Sequence, residues 1–268
     1  MKIEYNHTTL RLWQTYHLSV PYAGLASLGP EWKCERECSP FSRIYYIVKG
    51  EGLIYLDGKE QKLTAGNSYL IPAGLTYGYC CEDSMEQLFF HVNLTHINGM
   101  DLFRGCREIY SRQVTSPEME ETVQLYLSKQ VADVFRLKSI LLGELAAFMK
   151  MAGIGESDRK AYSPLVEQMF YLAQNPVSSN YHVSELAESL HVSPSTLTKR
   201  FRAETGMSPG EYLTQLVISR ACSLLLTDDY SIAEIARELG FSDQFYFAKY
   251  FKKQMYVSPS TYRKQMKH

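Results

Sequence analysis

The feature that most constrains this chain is an internal repeat in its C-terminal part. Ala187, Leu190, Val192 and Ser193 match Ala236, Leu239, Phe241 and Ser242 at a shift of 49 positions. After one inserted residue the shift is 50, and Leu197, Lys199, Phe201, Ser208, Pro209 and Tyr212 match Phe247, Lys249, Phe251, Ser258, Pro259 and Tyr262. So many matches in register imply two copies of one supersecondary unit, and a helix-turn-helix fits. In copy one, Leu186, Ala187 and Leu190 line a first helix, His191-Val192 makes the turn, and Ser193-Pro194 opens a second helix. In copy two, Ile232, Ile235, Ala236 and Leu239 line the first helix. Gly240 ends it as a left-handed residue, and Ser242 is the expected cap of the next.

The rest of this region is helical too. Ser163-Pro164 opens a helix that Asn175-Pro176 stops. Ser208 and Glu211 form a capping box around Pro209, as do Ser231 and Glu234. The Pro209 helix should bury Leu213, Leu216, Val217, Ala221, Leu224 and Leu225.

Charge separates the possible partners. The chain carries 28 basic and 29 acidic residues, a net charge of −1, which excludes a uniformly basic nucleic-acid coat but not a basic face. Lys199, Arg200 and Arg202 fall on the second helix of copy one, and Lys249, Lys252 and Lys253 on that of copy two. Glu185, Glu188, Glu234 and Glu238 fall on the scaffold helices. Charge sorted by face at small net charge suits a sequence-specific binder of double-stranded DNA; a helical bundle that binds protein is the plainer alternative.

Residues 1–110 differ. Ile44–Val48, Leu53–Leu56, Tyr69–Ile71 and Gln87–Val92 read as short strands, the first ended by Lys49-Gly50. Asp57-Gly58 reads as a hairpin turn, and the set as a sandwich or small barrel. In 111–160, Ser116-Pro117-Glu118 reads as an N-cap, a first-turn proline and a first-turn acid, with the helix running to about Lys129. Asp133 is a candidate cap for a second helix whose stripe includes Phe135, Leu137, Leu141, Leu142, Leu145, Phe148 and Met149. That stripe packs on the barrel or meets a partner helix. Residues 153–160 read as a linker. The greasy stretch at 141–149 is interrupted by Glu144 and is too short to span a bilayer. Residues 1–7 carry no apolar signal core, and the six cysteines lack framework spacing. These features imply a cytoplasmic protein with free thiols.

The two helix-turn-helix copies resemble the C-terminal domain of the arabinose-regulator (AraC/XylS) family of bacterial transcription factors. Copy two carries the resemblance in Ser231–Ala236, Leu239–Gln244, Tyr246-Phe247, Phe251–Lys253 and Val257–Arg263. Copy one carries it in Leu186-Ala187, Val192–Ser195, Leu197, Phe201, Glu204–Gly206 and Ser208-Pro209. The resemblance implies a double helix-turn-helix DNA-binding domain over 161–268, whose recognition helices enter adjacent major-groove turns about 34 Å apart. It implies base reading by Ser195, Thr198 and Lys199. Copy two offers Gln244, Phe245, Tyr246 and Lys249: glutamine suits adenine, lysine guanine and phenylalanine a thymine methyl. Phe245 otherwise packs back on the scaffold. Arg200, Arg202, Lys252 and Lys253 are assigned to the DNA backbone, and Leu197, Phe201, Phe247 and Phe251 to core.

Gly50–Gly58 and Leu63–Gly74 resemble the cupin-like barrel at the N-terminus of many such regulators. The expected fold is therefore two-domain α+β: a cupin-like sensing barrel over 1–110, a helical dimerisation region and linker over 111–160, and the all-α reading domain. The resemblance implies a small-molecule effector, often a sugar, with RNA polymerase a further partner and a homodimer the working form. Candidate effector contacts are His17, Arg36, Arg43, Tyr46, Tyr55 and Tyr77; candidate dimer contacts are Leu137, Leu141, Leu145 and Phe148. Tyr77 stands where metal-binding cupins commonly place a histidine, and no histidine lies between His17 and His91. No metal, cofactor, catalytic residue or membrane partner is expected. The competing readings are a cupin-type enzyme fused to a DNA-binding module, and a regulator with a packed barrel controlled by a protein partner.

Overall fold

The computed structural model describes residues 9, 13–155, 162–226 and 229–267. Residues 1–7 and most of the expected linker at 153–160 lie outside the described residues. The chain divides into two compact units. One contains Tyr22–Asn93 and the chain from Phe103 up to the linker. The other contains the described residues up to Pro21, Leu94–Leu102 and the chain beyond the linker.

Eight strands are described: β1 (Tyr16–Leu28), β2 (Lys33–Cys38), β3 (Ser42–Leu56), β4 (Lys59–Thr64), β5 (Asn67–Ile71), β6 (Thr76–Cys80), β7 (Met85–His96) and β8 (Tyr110–Gln113). β3 is the hub. Its first half pairs antiparallel with β5 and β7, its second half with β4 and β6. The expected break at Lys49-Gly50 is therefore a corner inside one strand. Gly50 has φ 71°, and a Cβ there would lie 2.0 Å from the Ser84 carbonyl oxygen, so only glycine lets the strand bend against that backbone. Asp57 and Gly58 both have positive φ between the paired Leu56 and Lys59, as a type I′ hairpin requires.

Alternation sends Tyr45, Ile47, Ile54, Leu63, Tyr69, Ile71, Tyr77 and Met85 into one buried cluster. The other face, with Ile44, Tyr46 and Phe90, is covered by α1 (Ser116–Leu127) and α2 (Val131–Met151). Tyr126 of α1 meets Phe90 edge-on, with ring centroids 5.9 Å apart. Buried Glu144 of α2 accepts two bonds from Arg112, at 2.9 and 2.6 Å, and one from Ser68.

Both caps differ from expectation. Thr115, not Ser116, caps α1 in a capping box with Glu118. Gln130 precedes α2, which leaves Asp133 inside its first turn. Leu141, Leu145 and Phe148 are buried within this unit, so three of the four residues expected at a dimer contact are taken up by the chain's own packing. Val131, Val134, Phe135, Leu142 and Met151 are the exposed large apolar residues of α2.

Beyond the linker, the described residues of the second unit form seven helices: α3 (Pro164–Gln174), α4 (Val183–Ser189), α5 (Pro194–Thr205), α6 (Pro209–Leu226), α7 (Ile232–Glu238), α8 (Gln244–Met255) and α9 (Pro259–Lys267). The capping boxes at Ser208 and Ser231 form as read. The repeat is visible in the hydrogen bonds. Val192 N donates to Ala187 O at 3.0 Å, and Phe241 N to Ala236 O at 2.8 Å.

Candidate functional site

Two regions gather functional side chains. The first is the outer face of α5 and α8. Their inner faces, Leu197 with Phe201 and Phe247 with Phe251, are fully buried. At 3.6 residues per turn that fixes which residues point out. Ser195, Lys199, Arg200 and Arg202 are exposed on α5, and Thr198 is half-buried. Pro194, Ser195, Thr198, Lys199, Arg202 and Ala203 line one open hollow of about 690 Å³. On α8, Gln244, Lys249, Lys252 and Lys253 are exposed. Phe245 is 77% exposed and Tyr246 56%, so Phe245 does not pack back on the scaffold. Tyr246 leans on Phe241, with ring centroids 5.8 Å apart.

The helix starts differ. Ser193 caps α5, accepting from Thr196 N at 3.1 Å. α8 is capped by Asp243 rather than Ser242; its carboxylate accepts from Phe245 N and Tyr246 N, both at 2.8 Å. The inserted residue explains this, because Ser193 aligns with Ser242 at the shift of 49 but with Asp243 at 50. The Tyr246 amide foremost, with the Ser242 hydroxyl and Phe245 amide, holds the Asp243 carboxyl below its usual value.

The second region is a polar cluster buried among the aromatics of the barrel unit. Register builds it: Arg43 on β3 stands opposite His91 on β7, and Glu37 on β2 opposite Tyr77 on β6. Arg43 Nη2 donates to Glu37 Oε1 at 2.7 Å and to Ser39 Oγ at 2.6 Å, and Nη1 donates to the Tyr77 hydroxyl. Ser39 Oγ donates to Glu37 Oε1 at 2.9 Å. The His91 ring stacks on Phe41, centroids 4.4 Å apart, and lies near Tyr22 and Phe89.

Burial works against the Arg43 charge, but Tyr45, Tyr77 and Glu37 outweigh it and keep the guanidinium charged. Burial, then Arg43, pushes His91 well below its ordinary value, so its imidazole is neutral. Burial raises the Tyr77 phenol well above its own. Arg43 Nε and His91 Nδ1 are buried and make no hydrogen bond among the described residues. Buried polar atoms left without a partner are uncommon in folded proteins, and here two lie beside a satisfied ion pair.

Of the six candidate effector contacts, the structure brings Arg43 and Tyr77 together. His17 and Arg36 are exposed. Tyr46 lies on the opposite sheet face, and Tyr55 is exposed with its hydroxyl 3.3 Å from Cys80 Sγ. Glu37, Ser39 and His91 were missed. The available signal was Arg43 itself, alternating in phase with Phe41, Tyr45 and Ile47: an inward arginine needs an inward acid.

The helix-turn-helix domain family matches residues 186–265, and the cupin domain family residues 24–92. The chain is similar to the Msm operon regulatory protein of Streptococcus mutans, 26% identical over 257 residues that cover 88% of this chain and 91% of that protein. It is 34% identical over 227 residues to the arabinose operon regulatory protein of Escherichia coli, covering 81% of this chain and 78% of that protein. Among solved structures, apo ToxT from Vibrio cholerae shares the fold with a TM-score of 0.58 at 15% identity, covering 94% of this chain and 98% of that one.

Proposed function

Because the chain belongs to the arabinose-regulator family of transcription regulators, we propose that α5 and α8 read bases in two successive major-groove turns, and that a neutral polyhydroxylated molecule bound at the Arg43–Tyr77–His91 cluster tunes that reading. The DNA half rests on two equivalent helices whose buried aromatic faces turn basic and aromatic residues outward. Lys199 and Lys249 occupy matched positions on those outer faces. The protein works in the cytoplasm as a homodimer, with RNA polymerase as a further partner.

The effector half rests on one observation: an ion pair already neutral in itself, with a neutral imidazole and two orphan nitrogens beside it. An acid would bring unpaired charge into this site. Hydroxyls supply donors and acceptors without charge, and Phe41, Phe89 and Tyr22 offer ring faces to C–H groups. The relative named for an arabinose operon supports the sugar class.

Selection of fragmented genomic DNA by the full-length chain, followed by footprinting, tests the first half. Two protected turns per protomer are expected; no enrichment over scrambled DNA counts against base reading. Thermal unfolding with neutral pentoses and hexoses, against their uronic acids, tests the second. Neutral sugars should raise the midpoint, and Arg43→Met should abolish the rise. A rise with acids alone overturns the polyol reading.

A further inference from the structure

The two copies end on equivalent tyrosines. Tyr212 and Tyr262 match at the shift of 50 and are both fully buried. Each donates its hydroxyl to a backbone carbonyl from far upstream in the chain. Tyr212 Oη donates to Asn98 O at 2.7 Å and accepts from Gln174 Nε2 at 3.0 Å. Gln215 Nε2, one turn further along α6, donates to Gly99 O at 3.0 Å. Tyr262 Oη donates to Pro21 O.

The 94–102 loop is shaped for its seat. Met100 is buried in one cluster with Val166, Phe170, Phe201 and Tyr212. Gly99 has φ 79°, and a Cβ there would lie 2.9 Å from Leu216 Cδ2. The loop is also braced internally: Gly99 N donates to His96 O at 2.7 Å, His96 N to Met100 O at 2.9 Å, and Leu102 N to Leu94 O at 2.9 Å.

β7, which bears His91 of the polar cluster, leads into the Asn98 carbonyl, and β1 bears the Pro21 carbonyl. β7 carries His91 and, three residues on, becomes part of the helical unit at Leu94. On β1, Pro21 takes the Tyr262 bond, and its neighbour Tyr22 lies 5.5 Å, ring to ring, from His91. We propose that Tyr212 and Tyr262 are positioning residues through which the state of the Arg43–Tyr77–His91 cluster reaches the two helix-turn-helix copies, with β7 and β1 as the carriers. This rests on the reading of that cluster as the effector site. A strand held in a hydrogen-bonded ladder resists bending and so passes on a shift along its axis; the proposed response is release of the 94–102 segment from the seat it occupies on Tyr212.

Amide hydrogen exchange on the full-length chain tests this without DNA or effector. Tyr77→Phe keeps the ring but removes its bond to Arg43. It should speed exchange at Gly99 and Leu102 at least threefold. With Tyr212→Phe and Tyr262→Phe in place, the same barrel change should add nothing further. A purely structural role for the tyrosines would raise the baseline and leave the Tyr77 effect intact. That outcome overturns the proposal, as does an unchanged exchange rate in Tyr77→Phe. If the paired variant does not fold, Gln215→Ala replaces it, with the same expected loss of coupling. Failure of the DNA selection or of the sugar panel is a separate result, since neither enters this measurement.

Discussion

The two helix-turn-helix copies meet the same backbone demands with different residues. Each needs a left-handed residue after its first helix and another after its recognition helix. Copy one places His191 (φ 55°) and Gly206 (φ 76°) there; copy two places Gly240 (φ 78°) and Tyr256 (φ 63°). Glycine has moved from one site to the other. Surroundings explain part of the exchange. A Cβ on Gly240 would lie 2.5 Å from Ser178 Oγ and 2.8 Å from Asn180 Nδ2, whereas one on Gly206 meets nothing within 4 Å. Copy two therefore needs glycine in its turn for space as well as for φ. Copy one holds histidine in the matching turn, at the cost of a strained backbone.

The outer faces differ more than the cores. Ser195 aligns with Phe245 and Thr196 with Tyr246, while Lys199 aligns with Lys249. A duplicated scaffold thus carries one outer face of small hydroxyls and one of aromatics.

The largest expected effect tests the equality of the cores. Phe201→Ala and Phe251→Ala should each cost about 3–5 kcal/mol in urea unfolding; a cost confined to one copy would end the equivalence. On DNA, Lys199→Ala and Lys249→Ala should each weaken an enriched site by about 1–3 kcal/mol if both heads read bases. A lysine that touches only phosphate would instead weaken cognate and scrambled DNA alike and lower the salt slope. Phe245→Ser should lower cognate affinity while thermal stability moves by less than about 0.5 kcal/mol, as for an exposed site.

Smaller still are the backbone exchanges. Gly240→Ala should destabilise by more than the roughly 1–2 kcal/mol of a left-handed residue alone, and Gly206→Ala by about that amount. His191→Gly should be neutral or slightly stabilising; equal losses at 206 and 240 would remove space from the explanation. The caps give the finest contrast. Ser193→Ala should cost about 1 kcal/mol at any pH. Asp243 has a lowered folded value, so its contribution is complete above the ordinary aspartate value of about 3.9 and fades as pH falls through the lowered one. An acid titration followed by exchange at the Phe245 and Tyr246 amides should loosen α8 before α5.

The helical half was legible because its signals are local. Caps, prolines and the period of apolar residues act within a turn or two, and the repeat supplied an internal check at every position. Leu216, expected to be buried, is only half-buried, and the slip of Ser242 for Asp243 came from an insertion whose place the matches left open by a single residue. The barrel half was legible only in outline. Whether β3 stops or bends at Gly50 depends on Ser84, far along the chain. Glu37 and His91 join Arg43 only through strand register, which neighbouring residues do not encode. The 94–102 loop carries no mark of belonging with the helices, because its seat is built from Tyr212, Gln215 and Leu216.

That discontinuity bears on how the protein is made. Met100 leaves the ribosome well before Val166, Phe170 and Tyr212 do. At about 5–20 residues per second, roughly a hundred intervening residues mean a wait of several seconds or more. Throughout synthesis of the barrel half, the 94–102 segment must hold an apolar side chain with no seat yet made, and copy one cannot close its core until a segment finished long before is brought back to it.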